Sequence, residues 1–266
     1  MKLVRGSVRH AYTNVRGWRI RYLTAGAGAP VVLVHGLGGS AESWLPTLHS
    51  LADHLRVYAL DLIGFGYSDK PAVRYTPDDF AECLRGFLDA VDVPRAAIVG
   101  FSMGGQVVAT FAAQYPQHVA KLVLIASAGI STEFTPALKR YVRSAASRSA
   151  TRERLEGLVV NRRVITDEHL TRTHALAQLP GAREAFAKAL TASGRGPRLT
   201  HVLHQITCPT LIIWGRDDPI IPVQYAPIFQ QHLPNSQLVV IERCGHVPYL
   251  ERPKEFMAAL KPFLLA

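Results

Sequence analysis

Apolar positions along this chain follow two rhythms, and their order predicts an alternation of strands and helices. Residues 4–12 and 18–24 alternate apolar and polar side chains, as half-buried strands do, with Asn14-Val15-Arg16-Gly17 as the hairpin turn between them. Pro30 then precedes Val31-Val32-Leu33-Val34, an unbroken run of the kind found in a strand buried on both faces. Further strands are predicted at 56–60, 96–99, 122–125, 209–214 and 237–241. Between them apolar residues recur at helical spacing, near 42–54, from 76 to about 91, over 103–115, near 223–232 and over 253–264. Thr76-Pro77-Asp78-Asp79 supplies a cap and a first-turn proline for the second of these helices. Strands alternating with helices argue a mainly parallel, twisted sheet covered on both faces.

One stretch breaks the alternation. From 130 to 205 the strand pattern disappears, and Ala, Leu and Arg recur at helical spacing with interruptions at Asn161, Pro180-Gly181 and Gly194-Arg195-Gly196-Pro197. Three to four helices inserted between two sheet strands are expected there. The chain accordingly divides into a first core part (1–129), a helical cap (130–205) and a second core part (206–266). The formal net charge is +10, and the inserted stretch holds thirteen Lys and Arg against six Asp and Glu. No nucleic-acid-binding motif accompanies that charge and aromatic residues are sparse, so no nucleic-acid partner is expected. The expected reading is a solvated basic helical face, with attraction of anionic substrates or lipid surfaces behind it.

Composition changes this picture little. At 266 residues, with 48% hydrophobic and 19% charged side chains, the chain suits one large α/β domain. No apolar run approaches the roughly 18–20 residues of a membrane span. The start, Met1-Lys2-Leu3-Val4-Arg5-Gly6, lacks the apolar centre of a signal peptide, so a cytoplasmic protein without integral membrane association is expected. Cys83, Cys208 and Cys244 are odd in number and far apart, which reads as reduced thiols; Cys244 is expected to be a small packing residue. The oligomeric state is not legible.

The candidate chemistry lies at the ends of predicted strands, where loops of such sheets collect functional groups. Strand 96–99 leads into Gly100-Phe101-Ser102-Met103-Gly104-Gly105 and a helical pattern leaves it. Strand, tight turn and helix is the order a nucleophile elbow requires, and glycines two residues either side of the serine relieve the crowding of that turn. A serine hydroxyl is a poor nucleophile at neutral pH and needs a base within hydrogen-bond reach, which His246 can supply. An acid must hold the other ring nitrogen, and Asp217-Asp218 offers two candidates. Other clusters are weaker. His201, His204 and Cys208 have loosely metal-like spacing without a fourth ligand, and Gly26-x-Gly28 lacks the third glycine of a dinucleotide fingerprint. The Asp61–Asp69 turn is expected to be structural, with Asp61 bonding locally.

Taken together, the motifs resemble the α/β-hydrolase superfamily in its capped form. The resemblance spans roughly 31–128 and 208–263. It rests on His35-Gly36-Leu37-Gly38, Asp61-x-x-Gly64-x-Gly66-x-Ser68, the Ser102 elbow, Trp214-Gly215-Arg216-Asp217-Asp218-Pro219-Ile220-Ile221-Pro222 and Gly245-His246-x-Pro248-x-x-Glu251-x-Pro253. It implies an α/β-hydrolase fold and a triad of Ser102, His246 and Asp218, the last because Gly215 and Pro222 frame it as the family pattern does; Asp217 would brace the loop. The implied oxyanion hole uses the backbone N–H groups of Met103 and Leu37, with Gly38 as the alternative to Leu37. Gly36, Gly38 and Val247 are expected to line the substrate site, and His35 to hold its loop by hydrogen bonds. No metal or cofactor is implied. The expected activity is hydrolysis of small to medium carboxylic esters through an acyl-enzyme on Ser102. Enol-lactone hydrolysis and carbon–carbon bond hydrolysis of meta-cleavage products are the alternatives. The carbon–carbon hydrolases usually carry Trp where Val247 stands, and a Gly-Pro-Gly absent from the early loop here, so that alternative ranks below esters. A hydrolase-fold ligand-binding protein without turnover is the non-enzymatic alternative.

Overall fold

Strands β1 (Arg9–Val15), β2 (Trp18–Ala25), β3 (Pro30–Val34) and β4 (Arg56–Leu60) open the sheet. Strands β5 (Ala96–Phe101), β6 (Val119–Ile125), β7 (Thr210–Gly215) and β8 (Ser236–Ile241) complete it. All eight form one sheet in the order β1-β2-β4-β3-β5-β6-β7-β8 in a computed structural model that describes residues 7–131, 135–142, 147–195 and 198–266. Pairing is antiparallel at β1–β2 and β2–β4 and parallel everywhere else. Every residue of β5 and β7 is buried, as their continuous apolar runs require of strands covered on both faces. This is the α/β-hydrolase fold.

The helices are α1 (Leu45–Leu51), α2 (Pro77–Ala90), α3 (Met103–Gln114), α8 (Ala226–His232), the single turn α9 (Pro248–Glu251) and α10 (Pro253–Leu265) around the sheet. Between β6 and β7 run α4 (Pro136–Tyr141), α5 (Arg148–Glu156), α6 (Asp167–Ala177) and α7 (Ala182–Arg195). Helix α2 starts where the sequence places its cap: Thr76 Oγ1 accepts the Asp79 N–H at 3.1 Å, and Asp79 accepts the Thr76 N–H at 2.9 Å. Two expected helices come out shorter. The segment near 42–54 splits into a 3₁₀ turn, Ala41–Trp44, and α1, because Pro46 can sit only in a first turn. Pro227 does the same between the 3₁₀ turn Val223–Tyr225 and α8.

The first hairpin is shifted from its expected register. Residues 4–6 of the predicted strand lie outside the described residues, and β1 continues to Val15, which pairs directly with Trp18. The loop is therefore only Arg16-Gly17, both at positive φ (54° and 90°), with the Asn14 side chain accepting the Gly17 N–H at 2.9 Å. Two consecutive left-handed residues twist a hairpin with its strands, which the four-residue turn read from the sequence would not do. Among the described residues no helix is long and apolar enough to cross a membrane.

Candidate active site

Strand order changes direction at β3 and β5: β4 lies on one side of β3, and β5 on the other. The loops leaving the carboxyl ends of these two strands diverge, and the crevice between them is where open α/β sheets bind ligands. Ser102 stands at the end of β5 with φ 55° and ψ −119°, a strained conformation for a residue with a side chain. Close packing enforces it. A Cβ on Gly100 would lie 2.4 Å from the Gly104 carbonyl, and one on Gly104 would lie 2.4 Å from the His35 carbonyl. The Ser102 N–H donates to Ile125 O at 2.9 Å, pinning the elbow to the end of β6.

His246 reaches this serine from the loop after β8. Its Nε2 lies 3.0 Å from Ser102 Oγ and its Nδ1 lies 2.7 Å from Asp218 Oδ2. Asp218 Oδ1 accepts the N–H groups of Ile220 and Ile221 at 2.8 and 2.9 Å, so the carboxylate is held on both oxygens. With Nδ1–H donating to Asp218, Nε2 is free to take the serine proton. The adjacent Asp217 is exposed and takes no part; its backbone N–H, and not its side chain, ties the loop to Cys244 O at 2.9 Å.

The predicted oxyanion donors flank the serine. Among the described residues neither the Leu37 nor the Met103 N–H has a hydrogen-bond acceptor, a state that suits groups waiting for a developing charge. Gly36 backs onto the serine, since a Cβ there would lie 3.0 Å from Ser102 Cβ. His35 holds this loop: Nδ1–H donates to Gly36 O at 2.8 Å and Nε2 accepts the Leu62 N–H at 3.1 Å. Only the neutral ring satisfies both bonds, and burial pushes its pKa down despite nearby Asp61. Asp61 reaches further than the local bonds expected of it, accepting the Ala41 N–H at 2.6 Å and the Arg21 guanidinium at 3.2 Å as well as the Tyr67 N–H. Cys244 is fully buried and its thiol is pushed up to about 12 by burial and Glu251, which makes it inert. Among the described residues no cluster of three or more His, Cys, Asp or Glu side chains could hold a metal ion.

The inserted helices bond to each of these loops. Tyr141 donates to Leu37 O at 2.6 Å, Thr135 Oγ1 to Pro219 O at 3.0 Å, and the His246 N–H to Leu158 O at 2.8 Å. Glu251, whose role its motif alone does not reveal, is the clasp of the histidine loop. It accepts the Gly245 N–H at 2.8 Å and the N–H groups of Val160 and Asn161 at 2.8 and 3.2 Å. Of the chambers beneath the insert, two adjoin at the serine, and a third lies between Phe65, Val142 and Phe186. The first is bounded by Ser102, His246 and apolar side chains such as Ile130, Leu138 and Ile220. The second contains Gly36, Gly38 and Val247, and it shares Leu37, Phe101, Tyr141 and Leu158 with the first.

An eight-stranded α/β-hydrolase sheet thus gathers a serine, a histidine and an aspartate at its switch point, an arrangement able to activate a serine for attack on a carbonyl. The sequence profile of the alpha/beta hydrolase family matches residues 31–260, and the chain belongs to that family. The 2-hydroxy-6-oxo-2,4-heptadienoate hydrolase of Pseudomonas putida F1 is 34% identical over 254 residues, covering 91% of each chain. A meta-cleavage product hydrolase from Pseudomonas fluorescens IP01 superposes with a TM-score of 0.88 at 28% identity, covering 95% of this chain and 96% of the other. A bacterial membrane phospholipase A superposes with a TM-score of 0.87 at 29% identity, covering 97% of this chain and 86% of the other.

Proposed function

We propose that this hydrolase cleaves a carbon–carbon bond beside a ketone, in an acid of the 2-hydroxy-6-oxo-dienoate type. This reverses the ranking drawn from Val247 and the missing Gly-Pro-Gly, which put esters first. The supporting observation is the 34% identity, over nine-tenths of both chains, to a hydrolase of such an acid. In this reading Ser102 Oγ adds to the ketone carbon as His246 Nε2 takes the hydroxyl proton, and Asp218 stabilises the imidazolium. The N–H groups of Leu37 and Met103 receive the oxyanion. Before cleavage the 2-hydroxydiene shifts its hydroxyl proton to the carbon beside the ketone, giving the 2-oxo form; the tetrahedral adduct then collapses by breaking that carbon–carbon bond, whose electron pair passes through the enone to the 2-oxo oxygen, and His246 returns its proton to the resulting dienolate. Water, deprotonated by His246, then releases the acyl group from Ser102 as a carboxylic acid. The inserted helices keep bulk water from the two chambers and set their shape.

Ester hydrolysis is the second reading. It is favoured by Val247 in place of the usual tryptophan and by the likeness to the phospholipase structure. One panel separates the two: decay of the 2-hydroxy-6-oxo-2,4-heptadienoate chromophore against release of p-nitrophenol from acetate to decanoate esters. The carbon–carbon reading expects kcat/KM on the dienoate at least about tenfold above the best ester. Ester turnover with an inert dienoate would establish the second reading instead.

A further inference from the structure

Helix α4 is bonded to both walls of the crevice. At its start Thr135 Oγ1 accepts the Leu138 N–H at 3.0 Å and donates to Pro219 O at 3.0 Å, one residue from Asp218. At its end Tyr141 donates to Leu37 O at 2.6 Å. The Tyr141 ring is itself held within the insert: the Arg154 guanidinium lies 5.1 Å from its centroid, and the Phe186 ring 6.3 Å. Burial pushes the Tyr141 hydroxyl pKa up, so it stays a proton donor throughout the working pH range.

What Tyr141 holds is the middle of a turn. The Gly39 N–H donates to Gly36 O at 3.0 Å, and φ is negative at Leu37 and 71° at Gly38, so residues 36–39 form a type II turn. The first peptide of this turn carries the Leu37 N–H, and it is fixed through Gly36 O by the Gly39 N–H and by His35. The middle peptide, from Leu37 C=O to Gly38 N–H, takes part in neither bond. Type I and type II turns differ by turning that peptide over, which rotates ψ of Leu37 by about 150°. A side chain at the third position would choose between them through the sign of its φ, but glycine tolerates both. Among the described residues Leu37 O has one hydrogen-bond donor, Tyr141. Phe186 closes over the same peptide, 3.0 Å from where a Cβ on Gly38 would stand.

We infer that Tyr141 is a positioning residue of the oxyanion hole, holding Leu37 O towards the inserted helices so that the donors around Ser102 are set before charge develops. Without its hydroxyl, Leu37 O and Gly38 N–H are free to exchange sides. The dipoles around the oxyanion must then reorganise as it forms, a cost that a preset site avoids. The inserted helices thereby act on the reacting atoms as well as enclosing them. The inference rests on the reading of Ser102 as nucleophile and Leu37 as oxyanion donor, and it is independent of which bond the enzyme cleaves.

Tyr141→Phe removes the hydroxyl and keeps the ring. On whichever substrate the wild type turns over, kcat should fall about tenfold with KM within about twofold. A matched pair of ketones separates positioning from pocket lining. Benzyl trifluoromethyl ketone adds to Ser102 and places an oxyanion in the hole, whereas benzyl methyl ketone has nearly the same shape and stays a ketone. Tyr141→Phe should weaken the first about tenfold and the second less than about twofold. The hemiketal hydroxyl of the adduct, followed by its fluorine NMR shift against pH, should ionise at a higher pH in the variant. If benzyl methyl ketone binds too weakly to measure, that ionisation and the split between kcat and KM decide. Equal losses for the two ketones would make Tyr141 a pocket wall and overturn the inference, as would no loss for either. A wild type that forms no adduct would overturn the Ser102 reading as well, a failure recognised without any variant.

Discussion

The chemistry of this protein turns on which of two neighbouring carboxylates is buried. Asp218 is enclosed and bonded through both oxygens, one to His246 and one to two backbone N–H groups, whereas Asp217 stands in solvent. Asp218→Asn removes the charge that fixes the histidine tautomer and should lower kcat about 10³–10⁴-fold. Asp217→Asn should change it by less than about threefold, and steady-state kinetics on the two variants checks both. His35 makes a prediction about pH. Its folded pKa lies below the ordinary 6.5, so the native state binds fewer protons than the unfolded chain. Its contribution to stability is complete above about pH 6.5 and is lost as pH falls below that value, by at most about 1.4 kcal/mol per pH unit for one proton. His169 shifts in the same direction. Urea unfolding between pH 5 and 8 should show this acid-side loss, and a His169→Gln background should isolate the His35 share.

Elements were legible where their local signals were covalent or periodic. The Thr76 capping box, the buried runs of β3 and β5 and the glycines of the elbow all act within a few residues, and all could be read directly. What could not be read was set by tertiary contact or by backbone sign. The positive φ of Arg16 is invisible in a residue type that seldom adopts it, so the hairpin was misplaced by its turn. Glycine positions separate these two kinds of constraint. At Gly104 a Cβ would meet two backbone carbonyls, at 2.4 and 2.6 Å, so Gly104→Ala must force α3 away from β3. We expect a cost of about 3 kcal/mol, at the upper end of overpacking, seen as a lower urea midpoint at unchanged slope. At Gly17 nothing lies within 4 Å, so Gly17→Ala should cost only the backbone strain of its φ, about 1 kcal/mol.

At the scale of the whole molecule, the sheet order brings residues far apart in sequence to one crevice. The loop after β3 brings Leu37, the turn after β5 brings Ser102, and the loops after β7 and β8 bring Asp218 and His246. Chain order and motif spacing were enough to foresee that gathering. They were not enough for Glu251 or Tyr141, whose contacts depend on where the inserted helices come down on the loops. The expectation of esters rests on two core-loop features, Val247 and the missing Gly-Pro-Gly, whereas similarity along nine-tenths of the chain favours the carbon–carbon reading. Beneath either reading is one claim, that Ser102 forms the bond to substrate. Initial rates of wild type and Ser102→Ala on 2-hydroxy-6-oxo-2,4-heptadienoate and on p-nitrophenyl butyrate test it most directly. The account predicts that whichever substrate the wild type turns over, the variant loses at least about 10³-fold in kcat with its circular dichroism unchanged. A folded Ser102→Ala protein that kept more than about a tenth of the activity would contradict it.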